Sequence, residues 1–286
     1  RKRYARERGI MEDITMRVME KAGKSGRWRW VYYDEAAYDI CCSEPALWLF
    51  LNTSVFRATM GTPGRIAAVS GIQLRSETVY TFEAASFIDC SGDGVVGFLA
   101  GAEYRVGREA KSEFGEAHAP DVADGKTMGS TLLFSSVDRG HPVPYEAPPW
   151  ALDVRELATI LNPDCGRACY RFGDGTFYGF WWAEYGGTID TIHDDAHIAQ
   201  HTRALVHGLW NHIKNSGHYQ NVANQELDWI GALPGKRESR RLVGDSICNA
   251  NDFLRQRRFD DAIGFGGWPI DIHPPEGIAS GDPPCL

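Results

Sequence analysis

The 286-residue chain has no apolar run long enough to cross a bilayer. Its longest, Ala46–Leu51, falls far short of the ~20 residues a span needs, so no membrane is expected among its partners. No charged segment followed by an apolar core opens it, so no secretory signal is expected. It also lacks an excess of positive charge. Thirty Lys and Arg stand against 38 Asp and Glu, a net charge of −8. That leaves no electrostatic case for nucleic acid. The seven cysteines contain no CxxC pair. Adjacent Cys41–Cys42 and the Cys165/Cys169 spacing match neither a zinc ribbon nor a ferredoxin run. No metal is expected, and free thiols in a reducing, cytoplasmic compartment are the simpler reading. No nucleophile elbow, Walker A loop, kinase block, internal repeat or low-complexity tract is present.

What remains is a chain of ordinary globular composition, 43% hydrophobic and 24% charged. Its length suits one or two domains with a core that needs no staples. Arg1 is not a methionine, and Pro283–Leu286 brings no closing element. An internal piece of a longer protein is expected.

Apolar positions at Ile10, Ile14, Val18 and Met19 predict an amphipathic helix from Arg1 to about Ala22, ended by Gly23. A short helix is expected over Asp34–Cys42. Strands are expected within Ala46–Met60 and over Arg65–Leu74, Thr78–Phe82 and Ala85–Cys90, making a small sheet of three or four strands. Gly94–Tyr104 reads as helix, 107–129 as polar loop and Thr131–Val137 as strand. The proline-rich 141–149 reads as a fixed loop. Asp153–Leu161 reads as a helix capped by Asp153. Gly175–Glu184 is an aromatic strand. Asp194–Lys214 is the clearest helix, with Asp190 or Thr191 as its cap. Gln225–Leu233 reads as strand and Asp245–Gln256 as helix. Mixed elements of this kind imply an α/β or α+β protein.

The most informative stretch is Phe87–Gly97. Gly92, Gly94 and Gly97 follow GxGxxG, after an expected strand and before an expected helix. Glycines there let backbone N–H groups approach a phosphate. A primary dinucleotide unit would carry a second strand ending in an acidic residue about 20 residues on. Residues 107–129 hold no such strand, so this is not the primary fingerprint, and a ligand-free tight corner is the competing reading.

Four blocks in order carry a resemblance: FIDCSGDGVVGFLAGAEYRVGREAKSEFGEAHAP from Phe87, ADGKTMGSTLLF from Ala123, LPGKRESRRLVGD from Leu233, and IDIHPP from Ile270. Over Arg1–Gly277 the chain resembles FAD-dependent oxidoreductases related to the flavin subunits of heterodisulfide-reductase-type proteins. The resemblance implies FAD as cofactor and an α/β fold. That fold would be an incomplete Rossmann-like FAD/NAD(P)-binding domain interrupted by a mostly β substrate domain. Flavin-side residues would be 1–104 and 245–286, with 105–244 inserted. The family's opening βαβ unit and closing flavin segment have no counterpart in this stretch. The resemblance implies that Asn52–Val55 faces the adenine. Ser91, Gly92, Asp93 and Gly94 would form a second turn close to the flavin nucleotide. Arg237, Glu238, Arg240 and Arg241 would approach the active-site side, and Asp271 and His273 the flavin ring. Val55, Ser91, Gly92, Asp93 and Gly94 are thus the cofactor-binding candidates. His273, Asp271, Arg237 and Arg240 are the catalytic ones.

The implied reaction is hydride transfer between a small organic substrate and flavin N5. A second copy of the chain or an electron-transfer protein could be its partner. On the residues alone, each candidate keeps a plainer alternative. The 236–241 block also reads as a solvated charged turn, and Asp271-Ile272-His273 as a loop before two prolines. His193, His197 and His201, four apart, read as a helix face rather than a zinc site, since no HExxH is present. Trp181 and Trp182, with Phe177, Tyr178 and Phe180, suggest an alternative: a non-catalytic carbohydrate-binding or interaction module.

Overall fold

The computed structural model describes residues 9–23, 30–157, 178–179, 181, 183–262 and 270–282. The chain forms two compact units. One comprises Arg1–Ile88 with Arg257–Pro269, the other Asp89–Gln256 with Ile270–Leu286.

The first unit opens with α1 (Ile10–Ala22) and α2 (Trp30–Ser43). Ile14, Val18 and Ala22 recur every fourth residue, which puts them on one stripe. Ile14 and Val18 meet Ala36, with Tyr32, Tyr33 and Ile40 around them. Lys21 reaches Asp39 at 2.9 Å and Glu35 at 3.4 Å, steering the pairing from the surface. Next comes an antiparallel sheet, β1 (Thr53–Met60), β2 (Ile66–Gln73) and β3 (Thr78–Glu83), in that order. Phe50 packs edge-on against Tyr80 and Phe82 at 5.0 and 4.9 Å between centroids. Val55 lies on β1, opposite Gly71.

The second unit is organised by α5 (Asp195–Asn215), after the short helices α3 (Val95–Leu99) and α4 (Lys111–Phe114). Ile198, Thr202, Leu205, Leu209 and Ile213 lie on its buried face, with Trp210 beside them. That face meets Leu132 and Phe134, and the Phe134 ring stands edge-on to Trp210 at 6.1 Å. Full burial of an indole and a phenyl ring is a large part of this core's stability. Gly208 permits the helix's closest approach: a Cβ there would lie 2.1 Å from the Leu152 carbonyl oxygen. Short antiparallel ladders surround the helix. β4 (Tyr104–Arg105) pairs with β10 (Arg241–Leu242), and β5 (Ser130–Thr131) with β8 (Glu184–Tyr185). β6 (Phe134–Asp138) lies between β7 (Tyr178–Gly179) and β9 (Gln225–Ile230). α6 (Ala250–Leu254) follows.

Several sequence expectations are corrected. Ala85–Cys90 forms no strand, and its polar end Asp89 turns back onto the glycine segment. The helix expected over Gly94–Tyr104 stops at Leu99, and Gly101 turns away with φ +78°. The expected strand 131–137 splits, because Thr131 pairs with Glu184 and Phe134 with the β7/β9 ladder. No helix begins at Asp153. Its carboxylate instead holds Arg155 through both backbone and guanidinium, and 158–161 lie outside the described residues. Asp190 takes the amides of Ile192 and His193, which caps a turn before α5 and not α5 itself. The Asp245–Gln256 helix shrinks to α6, because Asn249 and Asp252 form a reciprocal capping box at its start. Every strand pair among the described residues is antiparallel, so no parallel ladder of the Rossmann kind is among them. The fold is mixed α/β. Among the described residues of 105–244 the strands are short, and the core is built on one long helix.

Candidate functional site

The glycine turn is held from within. The Asp89 carboxylate accepts the amides of Ser91 and Gly97, each at 3.0 Å, and the Ser91 hydroxyl at 2.7 Å. Ser91 Oγ in turn accepts the Val95 amide at 2.8 Å. Burial would raise the Asp89 pKa, but the hydroxyl and amide donors outweigh it and hold the carboxyl below its ordinary range. Gly97 has a packing reason as well: a Cβ there would meet Leu242 Cδ1 at 2.5 Å. The amides of Gly92, Asp93 and Gly94 donate to no protein group among the described residues.

Asp93 points the other way, into the block at 236–241. It receives Ser239 Oγ at 2.6 Å and Lys236 Nζ at 3.0 Å. Burial works against its charge, but these donors lower its pKa overall. Arg240 donates to the Asp93 carbonyl at 3.2 Å, and its guanidinium lies over the Phe98 ring, 4.0 Å from the centroid. The charged block is therefore not a solvated turn. It is pinned to the glycine turn across more than 140 residues of sequence.

Its other end reaches a buried ionic chain. Arg237 Nη2 lies 3.1 Å from Glu184 Oε1 and donates to Thr131 Oγ1 and the Trp181 carbonyl. Glu184 is fully buried, and the same oxygen meets His273 Nδ1 at 2.6 Å. His273, whose side chain is 7% exposed, places Nε2 3.3 Å from Asp271 Oδ2. An imidazole facing carboxylates through both nitrogens favours its charged form. The bond to Glu184 raises the His273 pKa, against the opposing effect of burial. Three buried atoms of this ionic chain have no hydrogen-bond partner among the described residues: Arg237 Nε, Glu184 Oε2 and Asp271 Oδ1. Buried polar atoms are rarely left so: one of the three is a donor and two are acceptors.

The structure thus gathers Ser91, Gly92, Asp93, Gly94, Arg237, Arg240, Asp271 and His273 into one unit. Val55 belongs to the other. Sequence reasoning missed Glu184, Lys236, Ser239 and Thr131. Glu184 had one available signal, a lone acid on an otherwise apolar aromatic segment. The histidine face does not assemble either. His193 precedes α5 and pairs with Asp190 at 2.8 Å. Tyr185 stacks on His201 at 3.6 Å between centroids and bonds His197. Among the described residues no group of three His, Cys, Asp or Glu could hold a metal ion. Of the aromatic groove, Phe177, Phe180 and Trp182 lie outside the described residues. So do Cys165, Cys169 and Cys285, while Cys41, Cys42, Cys90 and Cys248 are free thiols. No helix among the described residues is long and apolar enough to cross a membrane.

The model of a family described as FAD dependent oxidoreductase covers residues 1–283. No curated protein and no solved structure matches.

Proposed function

The chain belongs to the FAD dependent oxidoreductase family, and from that premise we propose that it catalyses hydride transfer between a small organic substrate and FAD. The observation that carries this reading is the ionic chain Arg237–Glu184–His273–Asp271, with three buried polar atoms left without partners. The Arg237 Nε donor suits a carbonyl oxygen of a flavin ring edge and one of the two acceptors suits that edge's N–H, which leaves the other acceptor for a donor on the substrate. When bound, FAD supplies the hydride chemistry at N5.

The chain's own residues supply position and charge. Arg237 brings a guanidinium whose Nε is free to donate, a fixed positive charge for a ring edge that gains electron density. Glu184 anchors both Arg237 and His273, so it is a positioning residue. His273 holds a proton between two carboxylates and moves it at Nε2, where the Asp271 contact is the longer of the two. Asp271 aligns that nitrogen. The amides of Gly92, Asp93 and Gly94 would meet the nucleotide, since those of Ser91, Val95 and Gly97 are already taken. In this reading 1–104 and 245–286 serve the flavin, in a Rossmann-like arrangement, and 105–244 serve the substrate while lending Arg237 and Glu184 to the flavin edge. An electron-transfer protein would take the electrons onward, and a second copy of the chain would be a partner in a homo-oligomer.

The test is to titrate the purified full chain with FAD and follow flavin fluorescence and the visible bands. Quenching with a shifted bound spectrum is expected, and Arg237→Met is expected to weaken both. A folded, colourless protein that leaves added FAD fully fluorescent overturns the reading.

A further inference from the structure

The second unit contains a cavity of about 450 Å³ beyond the ionic chain. A volume of this order suits a small organic ligand. Tyr104, Val106, Ile189 and Ile192 supply apolar wall, and Lys126, Thr127, Thr188, Asp190, His193 and Arg240 the polar part. Its other charged groups have partners of their own. Lys126 pairs with Glu276 at 2.8 Å, and the Asp190 carboxylate is hydrogen-bonded to the His193 ring at 2.8 Å. Asp93, close to Arg240, is neutralised by Lys236.

Arg240 differs. Among the described residues it pairs with no carboxylate. It is held by the Asp93 carbonyl and by the face of Phe98, with Tyr104 at 5.8 Å. Stacking and a neutral acceptor fix a guanidinium in place without cancelling its charge. Arg108, Arg139 and Arg241, by contrast, each meet an acidic side chain. A second observation points to a ligand. Thr127, which also lines the cavity, is 4% exposed, and its Oγ1 is buried without a hydrogen-bond partner. A planar cation, an unpartnered hydroxyl and apolar walls together form the complement of one chemical class.

We propose that this cavity binds a small organic carboxylate with an apolar body, its carboxylate on Arg240 and a polar atom on Thr127. As the substrate site of an oxidoreductase it rests on the reading above. As a binding site it stands separately. The wall leads back to the ionic chain along the backbone from Thr188 and Gly187 to Glu184 at the start of β8, and the Thr127 amide donates to the Gly187 carbonyl at 2.8 Å.

Benzoate is the probe, with benzyl alcohol as its neutral counterpart. Both are titrated into the ¹⁵N-labelled full chain without flavin. Benzoate is expected to shift the amides of Thr127 and Thr188–Ile192, and benzyl alcohol to leave them in place. Arg240→Met, which keeps an unbranched stem over Phe98, is expected to weaken benzoate by at least about tenfold. Equal binding of both probes, unchanged affinity in Arg240→Met, or shifts confined to other residues overturns the proposal. If Arg240→Met does not fold, Thr127→Val decides, since it removes only an unpartnered hydroxyl. Weaker benzoate binding in that variant supports the site, and unchanged binding overturns it. A chain that binds benzoate this way but rejects FAD removes the oxidoreductase reading and keeps the site. A chain that binds FAD and ignores benzoate does the reverse.

Discussion

Glu184→Gln tests the ionic chain directly. The carboxylate is fully buried and shared by Arg237 at 3.1 Å and His273 at 2.6 Å. Breaking a buried pair by neutralising one partner costs about 3–5 kcal/mol, because the other charge stays buried. The glutamine oxygen still accepts one bond, so the loss falls near the lower end, about 3 kcal/mol. The size depends on pH. The folded state raises the His273 pKa. Its stabilisation is therefore fully present below the unfolded value of about 6.5, and is lost as pH rises through the folded value. The difference between wild type and variant is thus largest near about pH 5.5 and shrinks at alkaline pH to the part owed to Arg237. Urea denaturation of both proteins across that range, followed by tryptophan fluorescence, measures it. A difference below about 1 kcal/mol at the acid end, or one that does not change with pH, refutes the reasoning.

Three further outcomes are expected. Gly97→Ala should cost less than about 1 kcal/mol, because its Cβ would meet the tip of a partly exposed Leu242 side chain that can swing aside, and Leu242→Ala in the same chain should remove that cost in thermal melts. Asp89→Ala should leave the Gly97 and Ser91 amides without their acceptor and speed their hydrogen exchange, at a cost of about 1–2 kcal/mol. Trp210→Ala should remove about 3–5 kcal/mol from the second unit, read from its unfolding midpoint in guanidinium.

Local patterns were read well where one residue's neighbours in sequence are also its neighbours in space. The four-residue spacing of α1, the apolar face of α5 and the alternating β1–β3 segments are of this kind. Legibility ended where a distant partner decides. Ala85–Ile88 has strand composition, but no strand lies beside it, and the Asp89 carboxylate bends the chain into the glycine turn. Leu132 and Phe134 look like one strand, yet the residues on either side join different ladders. Glu184 offered only a faint signal as a site residue because its partners come 53 and 89 positions later. Arg237, Arg240, Asp271 and His273 could be nominated by resemblance. The joining of Arg237, His273 and Asp271 through Glu184 could not be read from spacing at all.

The bonds from Asp93 to Lys236 and Ser239 set an order on folding. A ribosome delivers the glycine turn well over a hundred residues before the groups that neutralise its carboxylate. Closing so long a loop is slow and entropically unfavourable until the intervening core has formed. The turn is therefore completed late, as a keystone seated after the α5 core. Nascent chains halted before residue 236 should display the loop as a protease-sensitive segment, and release of the remaining chain should close it.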